Sequence, residues 1–268
     1  GDFPAWLVDL VGVGATLGLA DRRGECIYSA CSHYSRCFVE HSIRKARRAR
    51  LVVANHALVM IQAAMGGIGG DDNTLPTRYV LDEGHHIFDA ADSAFAAHLS
   101  GREMADLRRW LLGAEGSGRR RPGSRARGLR ERVEDLIAAD DSDATEALAA
   151  ALEAAQVLPA PAWLNRLSGN SPQGAAEAFL AECRLQVYAR APENHGPYSL
   201  ETDVRPPAEE LPGAAEELRD ALVALATPLR KLCTRLLRRL DEDADELEST
   251  TRVRIEAVSK ALQRRAEM

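Results

Sequence analysis

No run of this sequence is long and apolar enough to cross a membrane; the longest, Leu51–Met65, is broken by Asn55, His56 and Gln62. The opening Gly1-Asp2-Phe3-Pro4 has no basic region ahead of an apolar core, so no secretory leader is predicted. Cysteines number only 5, an odd count, which argues against an extracellular disulfide framework. Aromatic residues are scarce at 5%, and the 46% apolar content rests on Ala and Leu, a composition of helical protein. A net charge of −6 excludes a protein that coats duplex DNA uniformly. No phosphate-cradling G-x-x-x-x-G-K-S/T loop occurs: Gly12-Val13-Gly14-Ala15-Thr16 lacks both the lysine and the spacing.

Against this background three of the cysteines cluster. Cys26, Cys31 and Cys37 form C-x4-C-x5-C, the pattern of a thiolate metal site. Zinc knuckles usually have shorter spacers; the wider, uneven loops suit an iron–sulfur cubane, whose irons are spread over several ångströms. A cubane takes four thiolates and no fourth cysteine lies nearby. Cys183 and Cys233 sit in helical, apolar surroundings and read as core residues. His33 or His41 completing a Cys3His zinc site is the rival.

A second signal follows the cysteines. The apolar run Tyr79-Val80-Leu81 leads into Asp82-Glu83-Gly84-His85. In parallel sheets the carboxyl ends of strands open onto the ligand crevice. An Asp there can hold Mg²⁺ on a nucleotide's phosphates, and an adjacent Glu can orient or deprotonate the attacking water. The alternative is a solvated turn with an incidental Asp-Glu pair.

In order, the chain reads C-x4-C-x5-C, a basic helix Ile43-Arg44-Lys45-Ala46-Arg47-Arg48-Ala49-Arg50, an apolar strand Leu51–Ala54, Asn55-His56-Ala57-Leu58, a Gly-rich loop, and then the Tyr79–His86 segment. This order resembles the DinG branch of the XPD-like superfamily 2 DNA helicases. Asn55-His56-Ala57-Leu58 is similar to that family's NHxL stretch. Asp82-Glu83-Gly84-His85 is similar to its DEAH box, with Gly84 where the family usually has Ala. The three cysteines match its last three cluster ligands, which would put the first ligand ahead of residue 1.

The resemblance implies a central piece of an ATP-dependent DNA helicase. Asp82 serves Mg²⁺, Glu83 activates water, and His85 couples nucleotide state to DNA. Cys26, Cys31 and Cys37 hold a 4Fe-4S cluster, and ATP is the substrate. The implied partners are single-stranded and forked DNA, with 5′-to-3′ movement, no membrane, a monomeric state, a role in DNA repair and a bacterial cytoplasmic location. The missing phosphate loop and a missing Q-x-x-G-R-x-x-R motif depart from the family and predict a chain inactive by itself.

The expected fold is mostly α with a small α/β part. Residues 1–45 form part of an iron–sulfur lobe, with a short helix opened by Pro4 that puts Trp6, Leu7 and Leu10 on one face. Residues 46–98 form part of a RecA-like domain with two strands, a helix capped by Asn55 and a loop at Gly66–Asn73. Residues 99–268 form a helical, arch-like domain. There Leu107, Trp110 and Leu111 share one face, and Leu129, Val133, Leu136 and Ile137 another. Residues 113–128 and 191–212 are long loops. Leu218, Leu222, Leu225, Leu229, Leu232, Leu236 and Leu240 form a heptad seam, read as an antiparallel core rather than a dimer zipper. Pro228 should kink it. Leu247, Ile255, Val258 and Leu262 make a further face, either a second helix or a continuation.

The basic residues offer two DNA readings. Arg44, Lys45, Arg47 and Arg48 can track the phosphates of a single strand, or belong to a solvated helix. The block Arg119–Arg127 reads first as a charged linker. Tyr28, Tyr34 and Phe38 fit base stacking and packing around a metal equally well. The rival for the whole chain is a non-enzymatic, helical zinc-binding interaction protein.

Overall fold

The computed structural model describes residues 31, 33–64, 78–113, 115, 128–193 and 200–267. The expected helix at Pro4, Cys26, Tyr28, the Gly66–Asn73 loop and the Arg119–Arg127 block lie outside the described residues. The chain divides into two compact units, one spanning Ser32–Leu99 and the other comprising Gly1–Cys31 with Ser100–Met268.

The Ser32–Leu99 unit holds three α-helices among its described residues: α1 (Phe38–Arg48), α2 (His56–Ala64) and α3 (His86–Phe95). A 3-10 turn at Tyr34–Arg36 precedes α1. Helix α1 starts five residues before the basic segment read from the sequence and stops at Arg48, with Ala49 extended. Asn55 caps α2 as expected: its Oδ1 accepts the Leu58 N–H at 2.9 Å. Helices α2 and α3 pack on each other, whereas α1 makes no extended packing with another described helix.

The two expected strands, Leu51–Ala54 and Tyr79–Leu81, are corrected here: no strand occurs among the described residues, and both segments are irregular. The reason is physical. A strand exists only when its backbone groups pair with a neighbour, and apolar runs of this kind need a sheet covered on both faces. Here Val53 is 92% and Val80 98% exposed, and neither run pairs with a strand among the described residues. None of these three helices contains a buried residue.

The Ser100–Met268 part is a helical assembly with a true core. Its helices are α4 (Gly101–Leu112), α5 (Arg130–Val133), α6 (Ser142–Ala154), α7 (Trp163–Ser168), α8 (Gly174–Tyr188), α9 (Leu211–Glu242) and α10 (Ser249–Glu267). Ser100 caps α4 through a reciprocal pair. Its Oγ accepts the Glu103 N–H and donates to the Glu103 carboxylate at 2.9 Å. Asp141 caps α6 through the Ala144 N–H at 2.9 Å and is gripped across the fold by Arg235.

The leucine seam is the spine of this assembly. Leu218, Leu225, Leu229, Leu232 and Leu236 are buried, with Leu222 and Leu240 packed at the margin. The seam faces the chain's own helices α6, α8 and α10. Helix α9 runs unbroken through Pro228, and α9 and α10 are separate helices packed together. Trp110, Leu111, Leu129, Val133 and Leu136 are fully buried as their periodicity predicts. Arg108, also buried, satisfies the carbonyls of Ala155, Gln156 and Leu158 at the end of α6 and pairs with Glu115 at 2.7 Å. The loop before α9 is tied back by Gln186, whose amide donates to the Asp203 and Val204 carbonyls. No described helix is long and apolar enough to cross a membrane.

Candidate functional site

The Asp82–His85 segment forms a turn that opens α3. Its carbonyls seed the helix: His86 N–H donates to Glu83 O at 3.0 Å and Ile87 N–H to Gly84 O at 3.2 Å. Glu83 sits at φ +48°, in the left-handed region that L side chains rarely adopt. Such strain clusters at functional positions, and here it falls on the residue singled out as the water-activating group. His85 Nδ1 lies 3.4 Å from Glu83 Oε2, and the His85 and His86 rings are 4.0 Å apart. Asp82, Glu83 and His85 are all exposed. The turn therefore presents two carboxylates and an imidazole to solvent at a helix N-terminus, where partial positive charge favours anions.

Cys31 and Cys37 are free, half-buried thiols. Cys37 sits immediately before α1, with its carbonyl accepting the His41 N–H at 3.0 Å. No group of three or more His, Cys, Asp or Glu among the described residues is arranged to hold a metal ion. His41, one candidate zinc ligand, has its Nε2 2.9 Å from the Ser35 carbonyl. Cys233 is buried, with Sγ donating to the Ser259 carbonyl at 3.4 Å, whereas Cys183 is only half-buried. Burial pushes both thiols up from their ordinary pKa; Cys233 is the core cysteine read from the sequence, whereas Cys183, read the same way, lies outside the buried core.

The basic helix α1 is less uniform than its sequence. Arg44 is engaged: Nε donates to Glu40 at 2.9 Å, and the guanidinium lies 4.5 Å from the centre of the Tyr34 ring. The Tyr34 hydroxyl donates to the same carboxylate at 3.2 Å. The Arg44 hydrogen bond holds Glu40 below the usual carboxylate range against a smaller opposing effect of burial. Lys45, Arg47 and Arg48 are exposed. Glu40 was missed in the sequence, although a Glu four residues ahead of an Arg on a helix is itself a pairing signal.

In the other unit four cations of α9 are paired internally. Lys231 pairs with Asp143 and Glu146, Arg235 with Asp141, Arg238 with Glu242, and Arg239 with Asp243.

Over 84 residues, 31% of this chain and 13% of the relative, the sequence is 34% identical to the ATP-dependent DNA helicase YoaA of Haemophilus influenzae. Over 76 residues, 28% of this chain and 10% of the relative, it is 37% identical to the ATP-dependent DNA helicase DinG of Escherichia coli. The DinG of Salmonella choleraesuis is 38% identical over the same length. These partial matches relate the chain to DinG-like helicases. The chain spans only 10–13% of the length of these curated relatives. No family model and no solved structure matches.

Proposed function

We propose that this chain is the central part of an ATP-dependent DNA helicase of the DinG type, coupling ATP hydrolysis to movement on single-stranded DNA and unwinding of forked DNA. The observation that carries the reading is the partial similarity to YoaA and DinG in a chain that presents the Asp82-Glu83-Gly84-His85 turn. In this reading Asp82 is the carboxylate that would hold Mg²⁺ on the nucleotide. Glu83 orients and deprotonates the attacking water, and its carboxylate stands within reach of His85.

Cys26, Cys31 and Cys37 would be ligands of a 4Fe-4S cluster. Their donor chemistry fits, since such clusters are held by thiolates, and Cys31 and Cys37 carry free thiols. The cluster would tie down a segment with little apolar content. The reading also requires the phosphate-binding loop, its lysine and a fourth cluster ligand from polypeptide beyond these residues. The zinc-binding rival is not favoured: helicases are what the chain resembles, and the His41 ring is engaged with the Ser35 carbonyl.

The test is made in the longer polypeptide. Glu83→Gln should keep nucleotide binding and lose turnover by roughly two to four orders of magnitude, the range for a general base. Asp82→Asn should instead weaken Mg²⁺-nucleotide binding. Near-wild-type turnover in Glu83→Gln would remove Glu83 from the mechanism.

A further inference from the structure

Helix α1 carries a strongly exposed aromatic side chain: Phe38 is 89% exposed. Tyr34, the other described aromatic of this segment, is half-buried, with Arg44 over its ring and its hydroxyl on Glu40. Base stacking and packing, equal readings for both in the sequence, are thereby separated. Tyr34 packs, and Phe38 is presented.

Helical geometry adds a second observation. Residues at i, i+3, i+7 and i+10 line one face, so Phe38, His41, Lys45 and Arg48 form a single stripe. At about 1.5 Å rise per residue, the two cations stand roughly 10 and 15 Å along the axis from Phe38. Both are exposed, and the ion pair described on this helix uses Arg44 instead. Arg47 lies on the opposite side of the helix from Phe38.

We infer that Phe38 is a stacking platform for one base of a single nucleic-acid strand, with Lys45 and Arg48 meeting the phosphates that follow; this rests on the DNA-binding reading above. Every base offers a π-face, and a polyanion complements an exposed cationic stripe. A duplex keeps its bases stacked on each other, so the strand must be single. Arg44, locked to Glu40 and Tyr34, is a positioning residue that fixes the start of the helix. An anionic lipid surface also attracts basic amphipathic helices, but those place their apolar face opposite the cations. The exposed Val39 and Ile43 of α1 do lie opposite Lys45 and Arg48, and it is Phe38, in line with the cations, that favours a strand, so the vesicle arm of the experiment decides between the two.

The experiment measures fluorescence anisotropy of a labelled oligothymidylate with the full chain, across a salt series, beside a matched abasic strand and phosphatidylserine vesicles. Phe38→Ala should weaken oligothymidylate binding roughly 5- to 150-fold, the range of one base stacked on an aromatic side chain. It should leave abasic binding unchanged, and Phe38→Trp should restore affinity. Lys45→Ala and Arg48→Ala should each lower the salt slope by about 0.7, the value for one single-strand phosphate contact. Arg47→Ala should lower it less.

If the wild type binds oligothymidylate and Phe38→Ala matches it within twofold, stacking is overturned while the DNA reading stands. Equal slopes for Arg47→Ala and Arg48→Ala would overturn the stripe. A wild type that binds neither strand overturns the DNA reading itself. Vesicle binding that depends on Phe38, with no effect on DNA, overturns the inference in favour of a lipid surface.

Discussion

Arg166 and Glu177 meet inside the helical unit, with Nη2 2.6 Å from Oε1 and Nε 2.8 Å from Oε2. Glu177 is completely buried and also accepts the backbone N–H groups of Gln173 at 3.0 Å and Ala160 at 3.2 Å. One carboxylate thus joins α7, α8 and the chain entering α7. Removing the guanidinium leaves a buried, underpaired charge, which costs roughly 3–5 kcal/mol. Arg166→Ala should lose about that much in urea unfolding. Arg166→Lys should recover only part, since an ammonium cannot reproduce the two-pronged contact. A loss below about 1 kcal/mol, the value of an exposed pair, would show that the pair is not a fastening of the fold.

The same carboxylate makes stability depend on pH. Burial pushes Glu177 up, but Arg166 and the Gln173 and Ala160 N–H groups outweigh it and hold the group below its ordinary 4.5. Asp141 is likewise held below 3.8, as Arg235 and the Ala144 N–H overcome burial. A depressed folded-state pKa contributes stability that is present above the unfolded pKa and lost as pH falls through the folded one. The urea midpoint should therefore be flat above pH 5 and fall steadily below about pH 4.5. The Glu177→Gln variant should show a lower plateau and a shallower acid decline. An unchanged decline in that variant would assign the acid sensitivity to other carboxylates.

Gly101 sits where α4 comes close to its neighbours. A Cβ at this position would lie 2.5 Å from Cη2 of Trp163 and 2.9 Å from Cδ1 of Leu180. The indole is rigid, so Trp163 must swing aside or backbone must move, and overpacking of this kind costs about 1–3 kcal/mol. Gly101→Ala should lower the melting temperature, and adding Trp163→Leu should return part of the loss. A Gly101→Ala variant as stable as wild type would show that the indole has room to shift.

What was legible in the sequence follows the range of the interaction. The heptad leucines of α9, the Trp110 and Leu129 faces and the Asn55 cap are local patterns, and all appear in the fold. The Leu51–Ala54 and Tyr79–Leu81 strands were read from composition, but a strand is a property of a pair, and among the described residues each run lacks its partner. Arg166 and Glu177 are 11 residues apart on different helices, a spacing no periodicity reports. The Asp82–His85 motif was visible as letters. The left-handed backbone at Glu83 was not, because it is set by the turn's hydrogen bonds to α3 and not by side-chain preference.

That turn offers a test of its own. Gly84 needs no glycine: its φ lies outside the left-handed region, and a Cβ there would meet only Leu81 Cβ at an ordinary 3.9 Å. Alanine, the usual residue of the family that the motif resembles, should narrow the unfolded ensemble without native strain, a gain of about 0.4–1 kcal/mol. Glu83 is the opposite case, since its φ of +48° is least tolerable for a β-branched residue. The Ser32–Leu99 unit shows no buried residue among those described, so a local readout is needed. The amides of His86 and Ile87, which donate to the Glu83 and Gly84 carbonyls, report the turn directly by hydrogen exchange. Gly84→Ala should slow their exchange roughly two- to fivefold, and Glu83→Val should speed it. Faster exchange in Gly84→Ala would place Gly84 in a conformation that only glycine can hold.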